Sequence, residues 1–203
     1  MAKVTEQEIL EIARKHFVRK GFAAARMQEI ADEAGINKAM LHYYFRSKDK
    51  LYHEIVKQTL NFMIPKLVKA IEYEGTFWEK IEKLINTYID TLSEHPDIPF
   101  FIIAELSQKR ERFIEELKNK SVHFPTAQKF MMEMMNEMAQ GNIKEFPPIQ
   151  LFLNIIGMTV FPFMTKPVFQ TIFEVPEKDF DEMMMQRKKV ILDFVKSALR
   201  NEN

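Results

Sequence analysis

With 203 residues, the chain is long enough to bury either one large core or a small domain followed by a larger one. It has no cysteine, which excludes disulfides and thiolate metal sites, and its 29 basic and 29 acidic residues cancel, which argues against a protein that coats nucleic acid indiscriminately. Met1 to Glu6 lacks a signal-peptide apolar run. The most apolar stretch, Leu151 to Met164, contains Asn154 and Pro162 and is shorter than the roughly 20 residues a membrane span needs, so a cytoplasmic protein is expected.

Thr5-x-x-Glu8 forms a capping box that opens a first helix, with Val4 and Ile9 placed as its hydrophobic staple. Ile9, Ile12, Ala13, His16 and Phe17 line the inner face. Gly21 stops the helix and Phe22 folds back on Phe17. In Gln28 to Ala34, Ile30, Ala31 and Ala34 share one face, Gly35 supplies the left-handed stop, and Ile36 turns back toward the core. Asn37 caps a short helix from Lys38 to Phe45 that turns Leu41 and Phe45 inward. Its outward arc is Lys38, Ala39, His42 and Tyr43. Ser47, with Asp49 in the first turn, opens a fourth helix through Leu51, Ile55 and Leu60, which Pro65 should end or kink.

Two short helices joined by a Gly turn have the layout of a helix-turn-helix DNA reader, and the outward arc suits a major groove, where donors reach base edges and phosphates. Charge supports this placement. Met1 to His53 carries a net charge of +3 and the remainder −3, with Lys38, Arg46, Lys48 and Lys50 set against Asp49 alone between Ile36 and Lys50. A local basic patch on a neutral chain points to site-specific binding.

Beyond Pro65 the pattern is helical, with no strand run and no internal repeat. The segments are Thr76 to Ser93, Pro99 to Asn119, Pro125 to Gln140, Pro148 to Phe161 and Glu177 to Arg200, with breaks expected at Pro162 and Pro167. Pro148 to Phe161 has hardly any polar face, so it must be buried on more than one side. In the last segment Met185, Leu192 and Leu199 recur every seven residues beside the main stripe of Phe180, Met183, Met184, Ile191, Phe194, Val195 and Ala198, and the extra stripe needs a partner. Met131, Met134, Met135 and Met138 share one helical face. Flexible thioethers suit a surface for varied apolar ligands, although Met stripes at this spacing also serve plain core packing.

An enzyme finds no support. No His has a Glu three residues before it, as a di-metal carboxylate centre would need, and there is no Cys nucleophile, Gly-rich phosphate loop or His-Glu-x-x-His helix. A helical carrier of apolar small molecules without DNA binding is the alternative, but it leaves the helix-turn-helix and its basic patch unexplained.

The run Ile30-Ala31-x-x-Ala34-Gly35-Ile36-Asn37-Lys38-Ala39-x-Leu41-His42-x-Tyr44-Phe45-x-x-Lys48-x-x-Leu51 closely resembles the N-terminal domain of the TetR (tetracycline repressor) family of bacterial regulators. With Phe17 to Phe22 included, the resemblance covers roughly the first quarter of the chain. It departs from the family wording in three places. Ala25 and Arg26 stand where a capping hydroxyl is usual, Ala39 where Gly is frequent, and His42 where Tyr is usual.

The resemblance implies an all-α fold, with a three-helix DNA-binding domain over residues 1–50 and a larger ligand-binding and dimerisation domain over 51–203. It implies a ligand-released homodimeric repressor on a palindromic operator. Lys38, Ala39, His42 and Tyr43 would line the groove, while Arg26, Tyr44, Lys48 and Arg46 hold phosphates. Phe62, Trp78, Tyr88, Phe101, Phe152 and the four-Met face would wall a pocket for an apolar inducer, and Phe152, Ile156, Met185, Leu192 and Leu199 would form the dimer interface. No cofactor, metal or membrane partner is expected.

Overall fold

The computed structural model describes residues 4–120 and 123–201, and among these every regular element is a helix. The order is α1 (Glu6–Ala24), α2 (Met27–Glu33), α3 (Lys38–Phe45), α4 (Lys48–Ile71), α5 (Phe77–Glu94), α6 (Ile98–Gln108), α7 (Arg110–Lys118), α8 (Phe124–Ala139), α9 (Pro148–Ile172) and α10 (Glu177–Ala198).

The local signals in the first fifty residues become the bonds they imply. Thr5 and Glu8 close the capping box of α1, whose helical dihedrals break at Gly21 (φ 74°), and Phe22 stacks on Phe17 with ring centroids 6.0 Å apart. At the end of α2, Gly35 sits at φ 66° while Ile36 N–H donates to the Ala31 carbonyl and Gly35 N–H to that of Asp32, which is a Schellman ending. Asn37 accepts from Met40 N–H and Ser47 from Lys50 N–H, so α3 and α4 are both capped.

Two apolar cores result. The first joins α1, α2 and α3 to Leu51, Tyr52, Ile55, Val56 and Leu60 of α4, and it also takes in Phe101 of α6 and Phe113 of α7. The second gathers α5, α8, α9 and α10 around Ile81, Leu84, Ile85 and Ile89, with Ala70 contributed by the far end of α4. α4 therefore belongs to both, and the first core reaches well past residue 50.

Three expectations about helix boundaries are corrected. Lys109, with φ −137°, divides the segment expected from Pro99 to Asn119 into α6 and α7. Pro65 does not end α4, whose flanking Ile64, Leu67 and Ala70 are held by packing on the two cores. Pro162 and Pro167 lie inside α9, which runs for 25 residues and by length and composition alone could cross a membrane. Leu151, Ile155, Thr159 and Phe163 give this helix a buried side.

The passage through Pro162 has a specific cause. Proline has no N–H, so the carbonyl four residues earlier, that of Met158, loses its helical donor. Arg187 of α10 replaces it, donating from Nε to the Met158 carbonyl over 2.7 Å. Burial lowers the Arg187 pKa below the ordinary arginine value. Arg187→Met should therefore destabilise the chain by about 1–3 kcal/mol, the usual cost of an unsatisfied buried acceptor. In a Pro162→Ala background, where the helix regains its own donor, the loss should shrink below about 1 kcal/mol. A urea-denaturation double-mutant cycle measures both, and equal losses in the two backgrounds would dissociate Arg187 from the proline.

Candidate nucleic-acid interface

The three-helix unit leaves one arc of α3 outward. Leu41 and Phe45 are buried, whereas Lys38 and Ala39 are exposed and Tyr43 is 77% exposed. His42 is half-buried. Tyr44 separates from Tyr43 here: it packs against the first core, edge-on to Tyr43 with ring centroids 5.8 Å apart, so much of its surface is committed inward.

Arg26 is the N-cap of α2 and makes no side-chain capping bond, as expected from the missing hydroxyl; its side chain is exposed. Lys48, expected to be free for phosphate, is half-buried. Its ammonium donates to the carbonyls of Ala23 and Ala25, each at 3.1 Å, and lies 4.7 Å from the Phe22 ring. An ammonium has three N–H donors, so one remains.

The charges sort themselves. Among the acids of the first fifty residues, Glu29 is held by Lys20, Glu33 by the buried His16 at 2.7 Å, and Asp49 by Arg112 at 2.6 Å. Exposed Arg26, Lys38, Arg46 and Lys50 form no ion pair among the described residues. These four cations therefore stand uncompensated, among the described residues, beside the outward arc.

The corner after α3 is strained. Arg46 has φ 61° and ψ −42°, and Ser47 N–H donates to the Phe45 carbonyl over 2.6 Å, closing a γ-turn of the rare positive-φ kind. Arg46 N–H also donates to the His42 carbonyl, and the His42 Nδ1–H returns a bond of 3.0 Å to the Arg46 carbonyl.

Behind this surface lies a charge network that no local motif announced. Glu105 of α6 is 1% exposed, and Arg112 of α7 donates to it through Nε at 2.7 Å and to Asp49 of α4 through Nη1 at 2.6 Å. His53 Nε2 is 3.2 Å from Glu116. Burial opposes the Arg112 charge, but Glu105 and Asp49 outweigh it and hold its pKa above the ordinary value. Burial, with the Glu105 charge second, raises Tyr52 to about 12.

The residues expected to wall a pocket fall in different places. Phe101 belongs to the first core, and Met134 to the second. Phe62 is exposed, edge-on to His95 and beneath the Lys66 ammonium. Tyr88 and Phe152 are half-buried against the second core, and Met131 is half-buried. Trp78 lines a groove with Asn142, Lys196 and Arg200 at the far end of the bundle. Met135 and Met138 share a groove of about 570 Å³ with Ala139, Glu145, Phe146, Pro147 and Pro148. The buried side of α8 is centred on Phe130 and Met134, so the Met arc straddles the core edge.

Two of the expected dimer residues, Leu192 and Leu199, need correction. Leu192 is 7% exposed and Leu199 fully buried, both in the chain's own second core, and Phe152 packs edge-on to Phe130. Ile156 is half-buried and Met185 exposed. Apart from Met185, the exposed large apolar side chains are Met183, Val190 and Phe194 on α10, and Ile149, Leu153, Phe161, Val168 and Ile172 on α9. They run along one side of each helix at spacings of four, seven and eight. Gly157 lies within the α9 stripe and nothing stands within 4 Å of where a Cβ would be.

The family model described as "Bacterial regulatory proteins, tetR family" matches residues 9–55. The uncharacterised HTH-type transcriptional regulator YfiR of Bacillus subtilis is 24% identical over 71% of this chain and 69% of its own length. The HTH-type transcriptional repressor KstR2 of Mycolicibacterium smegmatis is 24% identical over 52% of this chain, and the match spans 58% of that protein. The solved structure of the ketosteroid transcriptional regulator KstR2 of Mycobacterium tuberculosis superposes with a TM-score of 0.71 at 16% identity, covering 97% of this chain and 95% of that one. At that identity the likeness is one of fold.

Because a glycine adopts positive φ without strain, Arg46→Gly should raise stability by about 1 kcal/mol despite the entropy glycine adds to the unfolded chain. Urea denaturation reads it directly; a destabilised variant would mean that the Arg46 side chain holds the corner.

Proposed function

We propose that this chain, a member of the TetR family of DNA-binding transcriptional regulators, acts as a homodimeric repressor that an apolar ligand releases from a palindromic operator. Its work is binding rather than catalysis. The observation that carries the DNA-binding face is the set of exposed, unpaired cations Arg26, Lys38, Arg46 and Lys50 around the outward arc of α3. Lys38, Ala39, His42 and Tyr43 enter the major groove, while Arg26, Arg46 and the third N–H of Lys48 meet phosphates, and Tyr44 serves chiefly as packing. Arg26→Ala should weaken binding to every sequence alike. It should reduce the slope of log affinity against log salt by about 0.9 per contact, hence close to 2 for a dimer. Affinities on selected and random duplexes across a salt series decide it, and an unchanged slope removes Arg26 from the interface.

The second copy is placed on the exposed stripes of α9 and α10. Burying them restores two apolar faces, and Gly157 lets a helix backbone approach closely. A charge at Phe194 would be desolvated there, so Phe194→Glu should yield a folded monomer with steeply reduced operator affinity. Leu192→Glu should instead unfold the chain, because Leu192 lies in its own core. Sedimentation combined with circular dichroism separates these outcomes. A folded dimer of Phe194→Glu would send the interface elsewhere.

For the ligand, the groove lined by Met135, Met138 and Phe146 supports an apolar occupant, and the KstR2 structure is described as that of a ketosteroid regulator. A ligand that prefers the DNA-free state must lower operator affinity by the ratio of its two affinities and also raise the melting temperature. A screen of sterols, fatty acids and aromatic compounds should find such a compound, and Met135→Glu should abolish its thermal shift. Compounds that stabilise the protein without releasing DNA would deny the switch.

A further inference from the structure

His42 and Arg46 are joined twice: the Arg46 N–H donates to the His42 carbonyl at 2.8 Å, and His42 Nδ1 lies 3.0 Å from the Arg46 carbonyl oxygen. A carbonyl oxygen can only accept, so Nδ1 must carry a proton. In the neutral ring the second nitrogen then has a bare lone pair. Nδ1 and Nε2 lie on opposite sides of an imidazole, and with Nδ1 turned to the backbone at the α3 end, Nε2 faces away from it. The γ-turn at Arg46 presents that carbonyl to the ring, so the corner geometry sets the tautomer.

We infer that His42 is a specificity-determining residue whose Nε2 accepts a hydrogen bond from an exocyclic amine in the major groove, cytosine N4 or adenine N6. This rests on the proposed DNA-binding role of α3. The other polar groups on the arc make the assignment distinctive. Lys38 can only donate, Ala39 offers only a methyl group, and the exposed Tyr43 hydroxyl both donates and accepts, so a neutral His42 ring with Nδ1 committed to the backbone is the one group of the arc that can accept without donating. An acceptor is repelled by guanine N7 and O6 and by thymine O4, and it is satisfied only by an amine. The residue therefore reads which strand of a base pair carries the amine, through position across the groove.

The test begins with selection of bound sequences from random duplexes at about pH 8. It uses the unmodified protein and His42→Ala. The position at which the variant loses its preference marks the contacted pair. Operators are then made in which that pair's adenine is replaced by purine, or its cytosine by 2-pyrimidinone, each lacking the exocyclic amine. A third set carries a 7-deazapurine, which lacks only N7.

Loss of the amine should weaken the unmodified protein roughly 3- to 10-fold, the worth of one net hydrogen bond, and leave His42→Ala unaffected. The 7-deazapurine should leave both proteins unaffected. Because the base changes are read in the unmodified protein, a disturbed corner in His42→Ala cannot mimic the result. Loss of affinity with the 7-deazapurine but not with the missing amine would overturn the inference by making Nε2 a donor. A selected operator whose every position is indifferent to His42→Ala would overturn it while leaving the DNA-binding role intact, whereas no selected sequence at all would overturn both.

Discussion

The arrangement of this molecule depends on the burial of one carboxylate. Glu105 is 1% exposed, and a charge so placed costs several kcal/mol unless it is paired and hydrogen-bonded. Arg112 meets that requirement, but in an unbroken helix residues seven apart lie about 10.5 Å apart along the axis. The turn at Lys109 brings them together. Once seated, the guanidinium has a second edge free, and that edge takes Asp49 in the first turn of α4. The helix that follows the outward arc is thereby tied to α6 and α7, and Phe101 and Phe113 enter the first core beside Tyr52.

What the sequence made legible is what short-range bonds decide. The Thr5 box, the Gly35 ending and the Asn37 and Ser47 caps all link residues no more than five apart, so their partners stand side by side in the chain. The three-helix unit and its outward arc follow from them. The Arg112–Asp49 bond spans 63 residues and leaves no local trace. Its one sequence sign was Glu105 itself, the only charged residue in Ile98 to Leu106. Pro162 of α9 misled for the same reason. The donor that replaces the missing N–H comes from Arg187, 29 residues away.

The second core shows a second limit. Periodicity fixes the angles between side chains on a helix, but not which of two apolar arcs turns toward the chain's own core. On α10 the heptad of Met185, Leu192 and Leu199 looked surplus, yet Leu192 and Leu199 are core while Val190 and Phe194 are exposed. Spacing on α8 likewise grouped four methionines that the core edge divides.

The sharing of α4 between both cores has a mechanical consequence. A helix of 24 residues is a rod about 36 Å long, stiff on the scale of side-chain motion. Its Ala70 end is gripped by the second core, and its Asp49 end stands next to the Arg46 corner. Pivoted near one end, such a rod turns a tilt of only about 5° into a displacement of about 3 Å at the other, close to the 3.4 Å rise of one base step. A rearrangement too small to disrupt either core would thus be magnified, by leverage alone, into a slip of about one base pair between the α3 arc and a groove it had fitted.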